Sequence, residues 1–279
     1  MSDLTPCLCS AHTHTTLCDG KGTPEAMAAA AYAAGVRYYG FSGHSFSPNP
    51  ADFGYSLPPD TTEYRQKVLA LRDEYAGRME ILLGIEWDSW TPGDPEGYDY
   101  WIGSVHAVRD ADGGYCAVDN TPEIFRECLD RVFHGDALTM TEAYYRGVAE
   151  MAARKPTILG HIDLVTKYGE THAFFDEASP RYRRAALDAL HAVDPSATLL
   201  EINTGAMSRG WRSTPYPAQF LLEAWRGMGG RIIITSDTHH PDTILHGYRE
   251  AITAARTAGF RVCTLLTAAG QVECPLPPE

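Results

Sequence analysis

Most of the good metal ligands in this chain stand at the ends of short apolar runs, and that placement constrains its fold more than any other feature. The residues are His12, His14, Asp19, His44, Glu86, His106, His161, Asp237 and His239. The runs read as strands over residues 7–14, 38–43, 80–86, 100–106, 157–161, 198–203 and 231–236, with an eighth at 260–266. Histidines scattered through a core have no reason to stop at strand ends. Strands that aim their last side chains at one point produce this pattern. The expectation is a multinuclear metal centre at the C-terminal mouth of an α/β barrel.

Helical patterns fall between most of the runs. Pro24 leads one over 25–34 that Gly35 closes, and others cover 61–76, 181–193, 218–228 and 249–258. Thr121-Pro122-Glu123 opens a further helix. Alternating strand and helix argues for a parallel sheet, and closure into a barrel is the economical form. No helix separates 80–86 from 100–106, and one of the eight runs can be a satellite. Without an internal repeat or linker, residues 1–279 read as a single domain. Segments 45–59 and 91–97 look like long loops over the site, and the tail 274–279, with three prolines, is expected to fray.

An apolar fraction of 44% supports a sizeable core, and the net charge of −13 disfavours a nucleic-acid partner, which needs a basic face. Seven cysteines form no Cys-x-x-Cys pair. With no signal peptide expected at Met1-Ser2-Asp3-Leu4, they read as reduced thiols in a cytoplasmic protein. Cys7 and Cys9 read as alternation on one face of a buried strand. The alanine-rich run 26–34 is too weakly hydrophobic to span a membrane. The oligomeric state stays open.

His12 and His14 share a face of their strand and present two nitrogens to one ion, and Asp237-x-His239 repeats the geometry late in the chain. These two pairs become neighbours if the sheet closes. Glu86, ending an apolar run, is expensive to bury alone and suits a carboxylate bridging two cations. Mixed imidazole and carboxylate donors suit two or three divalent ions of zinc, manganese or iron, and the lack of thiolates disfavours a structural zinc site. Any one of these histidines alone is more often a core or surface residue. His134, His172, His191, His240 and His246 lack the strand-end placement.

Six motifs resemble the PHP (polymerase and histidinol phosphatase) superfamily: His12-Thr-His-Thr-Thr-Leu-Cys-Asp-Gly20, Gly40-Phe-Ser-Gly-His-Ser45, Gly84-Ile-Glu86, Gly103-Ser-Val-His106, Gly160-His-Ile-Asp163 and Ser236-Asp-Thr-His239. Within it the chain is similar to the monofunctional histidinol-phosphatases, through Asp99–His106 and the stretch 201–217. The resemblance implies a distorted barrel of seven strands and helices holding three ions. By position, one ion takes His12, His14, Glu86 and Asp237. A second shares Glu86 and adds His106 and His161, and a third takes Asp19, His44 and His239.

Clustered divalent ions suit hydrolysis, and the expected reaction is a metal-bridging hydroxide attacking a small phosphate monoester. The resemblance implies L-histidinol phosphate as that ester and phosphate with L-histidinol as products, in histidine biosynthesis. Arg209 and Arg212 follow the strand at 198–203, where barrel loops build the active face, and either can clamp the phosphate, with Lys167 a weaker third. Asp163, Tyr168 and Glu170 could meet the ammonium and imidazole of that substrate, although a solvated loop is the blander reading. Asp19 or His239 could shuttle the leaving-group proton. The rivals are a PHP enzyme for another phosphate ester, an amidohydrolase cleaving C–N bonds, and a metal-binding module without turnover.

Overall fold

In the computed structural model, which describes residues 9–48, 54–109 and 114–277, the strands of the barrel alternate between bore-facing and helix-facing side chains. In chain order the first elements are β1 (Cys9–Ser10), α1 (Pro24–Ala33), β2 (Tyr38–Phe41), α2 (Thr62–Glu74), β3 (Glu80–Asp88) and β4 (Tyr100–Ser104). A hairpin of β5 (Ala107–Arg109) and β6 (Tyr115–Ala117) follows, then α3 (Pro122–Phe133) and α4 (Ala137–Ala153). The rest is β7 (Ile158–Leu159), α5 (Gly169–His172), α6 (Pro180–His191), β8 (Leu199–Asn203), α7 (Gly205–Ser208), α8 (Gln219–Gly227), β9 (Arg231–Thr235), α9 (Tyr248–Thr257), β10 (Val262–Thr267) and β11 (Gly270–Pro275).

Seven strands pair in parallel in the order β1-β2-β3-β4-β7-β8-β9. The seam between the last and the first is stitched just beyond the strands. Thr13 pairs with Thr238, the His14 amide donates to the Thr238 carbonyl at 2.9 Å, and the Thr238 amide donates to His12 at 3.2 Å. A seven-stranded, nearly closed barrel is the result, as the family resemblance implies. The eighth run is the satellite: β10 pairs antiparallel with β11 outside the barrel.

On β3, Ile81, Leu83 and Ile85 pack outward with Tyr39, Phe41, Val68 and Leu71 beneath α2. Leu82 points the other way, into an interior cluster with Tyr100, Ile102, Ile158, Leu199 and Ile233. Glu86 and Asp88 continue that inward row by twos, so the strand carries its carboxylates to the barrel mouth. The Tyr100 ring plugs the bore. Its hydroxyl donates to the carbonyls of Ala11 at 2.5 Å and Phe41 at 3.2 Å. A Cβ at Gly40 or Gly84 would stand 2.1 or 2.2 Å from that side chain, so both positions need glycine.

Thr23 and Thr121 cap α1 and α3 by accepting the Ala26 and Ile124 amides, with Pro24 and Pro122 in the first turns. Helix α4 was not among the expected elements. It begins at the cap Asp136, and Met140, Tyr144, Val148 and Met151 form its buried stripe. Three further expectations need correction. The tail does not fray through Pro277, since β11 extends to Pro275 and Arg256 donates to the Pro277 carbonyl at 2.7 Å. Of the two loops expected over the site, 91–97 instead lies towards α2, where Arg65 donates to the carbonyls of Glu96 and Gly97. Not all cysteines are reduced: Cys116 on β6 and Cys128 on α3 form a disulfide, because the hairpin packs against the helix and brings their Cα atoms to 5.9 Å. Cys18 is a free thiol, and Cys7 lies outside the described residues. Among the described residues, no helix is long and apolar enough to cross a membrane.

Candidate metal centre

All nine expected ligands meet at the C-terminal mouth of the barrel, carried by the ends of β1, β2, β3, β4, β7 and β9 and, for Asp19, by the loop after β1. Glu86 sits in the middle. Its Oε2 lies 3.2 Å from His12 Nε2, 3.4 Å from His14 Nε2 and 2.9 Å from His44 Nδ1. Its Oε1 lies 3.4 Å from His106 Nε2 and 3.1 Å from His161 Nε2. Asp237 Oδ1 stands 3.7 Å from His12 Nε2 and 3.4 Å from His14 Nε2. At the rim, Asp19 reaches His239 Nε2 at 3.1 Å and His44 Nε2 at 3.6 Å.

The question is whether these are ion pairs or ligand edges. Donors about 2.1 Å from a tetrahedral ion lie about 3.4 Å from one another, which matches most of these separations. Several of the atoms are also buried without a hydrogen bond: His12 Nε2, His14 Nε2, Asp19 Oδ1 and Glu86 Oε2. Orphaned lone pairs that face each other fit a cation between them. The donor atoms fall into four groups within 4.8 Å: His14, Asp19, His44 and His239; His12, His14 and Asp237; His12, Glu86 and His161; and His44, Glu86 and His106. The residues present therefore fit divalent metal ions.

Without ions the cluster is electrostatically tense. Burial would raise the Glu86 carboxyl, but His12, His44 and His106 hold it well below its ordinary value. Burial would lower His12, yet Glu201, Glu86 and Asp237 raise it well above. His14 goes the other way: burial, then His239 and His44, bring it down to about 3, so its lone pairs stay free. Asp237 adopts a left-handed backbone (φ 45°), a sparsely populated region for a residue other than glycine and one often found at functional sites.

Two carboxylates that had no assigned role orient the ligands. Glu201 takes His12 Nδ1 at 2.6 Å through Oε1 and accepts the His161 amide at 2.7 Å through Oε2. Thr235 and Asn203 donate to its remaining lone pairs. Asp88 holds His106 Nδ1 by a short hydrogen bond. Both were detectable: Asp88 stands two residues beyond Glu86 on the same face, and Glu201 is an acid inside an apolar strand.

A cavity of about 180 Å³ opens above the ligands, lined also by Tyr55, Trp90, Asp119, Asn120, Lys167 and Arg209. Arg209 donates to Asp237 Oδ2 at 3.2 Å and keeps a buried Nε without a partner. Lys167 donates to the Asp119 carbonyl at 2.5 Å. Burial pushes the Asp119 carboxyl up, but Lys167 and nearby imidazoles hold it below its usual value. The cavity does not receive Arg212, Asp163, Tyr168 or Glu170. Arg212 instead donates to the Thr166 carbonyl at 2.9 Å and hydroxyl at 2.7 Å. Asp163 is buried and accepts the Ala218 amide at 2.8 Å. The Tyr168 hydroxyl donates to the Asp119 carbonyl at 2.7 Å, and Glu170 accepts from Ser213. Arg212, Asp163 and Glu170 tie together the loops after β7 and β8, and Tyr168 ties the first of these to the segment after β6.

The model for the PHP domain matches residues 10–205. This chain belongs to the PHP family. The matched span carries His12 to His161 and Glu201, while Arg209, Asp237 and His239 lie beyond it. A probable histidinol-phosphatase of Deinococcus radiodurans is 32% identical over 273 residues, covering 92% of this PHP chain and 96% of its own. A histidinol phosphate phosphatase of Lactococcus lactis, solved with zinc, L-histidinol and phosphate, superposes with a TM-score of 0.72 at 20% identity. That match covers 95% of this chain and 99% of the other. A Listeria monocytogenes structure has the same TM-score and identity, over 86% and 98%. At these identities the two solved structures share the PHP fold.

Proposed function

We propose that this chain is a metal-dependent phosphatase that hydrolyses L-histidinol phosphate to L-histidinol and phosphate. The observation that carries the reading is the ring of imidazole and carboxylate atoms with orphaned lone pairs around Glu86. The curated relative is described as a probable histidinol-phosphatase, and the Lactococcus enzyme holds zinc with L-histidinol and phosphate. The proposed complement is three divalent ions of zinc, manganese or iron. His12, His14, Glu86 and Asp237 hold one, Glu86, His106 and His161 a second, and Asp19, His44 and His239 a third.

Such ions acidify a bound water and neutralise a phosphoryl group in transit. The chain's own groups do the rest. Glu201 and Asp88 fix the tautomers of His12 and His106, so that Nε2 of each faces the centre. Arg209, whose buried Nε has no partner, and Lys167 line the same cavity and grip the phosphate oxygens. Asp19 and His239 line the rim of the cavity, where a water beside them would pass a proton to the departing alkoxide. A small-molecule ester and no nucleic acid is the proposed partner, and the cytoplasm is the proposed compartment.

The test is phosphate release from L-histidinol phosphate against a panel of other monoesters and amides, with metal content measured in the same sample. Preferred turnover of the histidinol ester by metal-loaded protein is expected, and amide cleavage without phosphate release would overturn the reading. Asp237→Ala should lose metal and nearly all turnover, whereas full activity in that variant would refute the ligand assignment.

A further inference from the structure

The cavity keeps one carboxylate that the metal centre does not use. Asp19, Glu86 and Asp237 lie among the ligand groups, and Asp88 is bound to His106. Asp119 is different. Its side chain lines the cavity and is 24% exposed, and its Oδ2 stands 3.7 Å from Lys167 Nζ, too far for a hydrogen bond. Lys167 is anchored instead by the Asp119 main-chain oxygen, which also accepts from the Tyr168 hydroxyl. Any residue at this position would offer that carbonyl, and the long ion pair with Lys167 leaves the carboxylate open to a second cation.

A carboxylate beside a phosphate site repels the phosphate dianion once its lysine has turned to the phosphate. It helps binding only when the ester brings a positive charge of its own. We propose that Asp119 is the specificity-determining residue of this site, selecting phosphate monoesters whose organic part carries an ammonium group close to the ester. The inference rests on the phosphatase reading above and adds the residue that sets its selectivity. On binding, Lys167 turns to the phosphate, and Asp119 pairs with the substrate ammonium in its place. The adjoining wall suits the remainder of such a substrate. Trp90 and Tyr55 line the same cavity, and Asn120 donates to the Tyr55 hydroxyl at 3.1 Å, fixing a face for a flat ring.

The experiment compares kcat/KM for L-histidinol phosphate and for 3-(imidazol-4-yl)propyl phosphate, which lacks only the amine, in the metal-loaded wild type and in Asp119→Asn. The wild type should favour the amine-bearing ester by about 10- to 100-fold, the value of one charge-assisted contact. Asp119→Asn should bring that ratio close to unity, and Asp119→Glu should restore part of it. An unchanged ratio in Asp119→Asn, or an equal fall for both esters, would overturn the assignment, since equal falls mark a purely structural role. If Asp119→Asn does not fold, the wild type alone decides. L-histidinol should then inhibit turnover of an aryl phosphate far better than 3-(imidazol-4-yl)propan-1-ol, and equal inhibition would refute the inference. No turnover of any monoester, the aryl phosphate included, would sink the phosphatase reading itself. An active enzyme indifferent to the amine would sink only Asp119.

Discussion

Glu201 illustrates how much of this site depends on residues that need never touch an ion. It is fully buried, and two of its contacts orient residues that do face the centre: His12 through Nδ1, and His161 through its amide. Replacing it with Gln removes the charge that holds the His12 tautomer while keeping the shape. Glu201→Gln should therefore fold but lose about 10- to 100-fold in metal affinity or kcat/KM. Elemental analysis beside kinetics checks this, and wild-type values for both would assign Glu201 to packing alone. Asp88 belongs to the same class. Its place was legible from the two-residue period that already put Glu86 at the strand end. Arg212 follows the same strand as Arg209, but an arginine there can reach either the cavity or a neighbouring loop, and the Thr166 carbonyl and hydroxyl take it.

At the scale of elements, the alternation on β3, β4 and β8 does two jobs along each strand. Its lower inward positions build the plug around Tyr100, and its upper ones build the site. Gly84 is where the two meet, with the Tyr100 ring against it. Gly84→Ala should overpack the bore and destabilise the fold by about 1–3 kcal/mol. A thermal or denaturant melt measures this, and an unchanged midpoint would show that the ring moves aside at no cost. The strands were easy to read because their apolar runs are continuous or strictly alternating. Helix α4 was equally legible in the spacing of Met140, Tyr144, Val148 and Met151 and in its aspartate cap Asp136. The hairpin β5–β6 is too short to leave a pattern.

For the molecule as a whole, the barrel mouth gathers buried acidic and imidazole groups that bound ions would hold together. Buried carboxylates and imidazoles crowd around Glu86, and ions that bind only the folded chain stabilise it by mass action. Prolonged treatment with a chelator should lower the melting temperature, and added zinc or manganese should restore it. No shift in either direction would mean that the cluster is self-sufficient. The same convergence spans the whole chain, from His12 to His239, so truncation before β9 should not leave a functional half.

The ligand types, their strand-end positions and the parallel α/β class follow from the amino-acid order alone, because side-chain periodicity and the chemistry of histidine and carboxylate are local properties. Closure was decided in three dimensions, where Thr13 met Thr238 and made neighbours of residues more than two hundred positions apart. So were the choice of Arg209 over Arg212 for the cavity, the Cys116–Cys128 disulfide and the cavity-lining carboxylate of Asp119. Each of these depends on which way a loop turns after its strand, and that direction is set by distant packing rather than by neighbours in sequence.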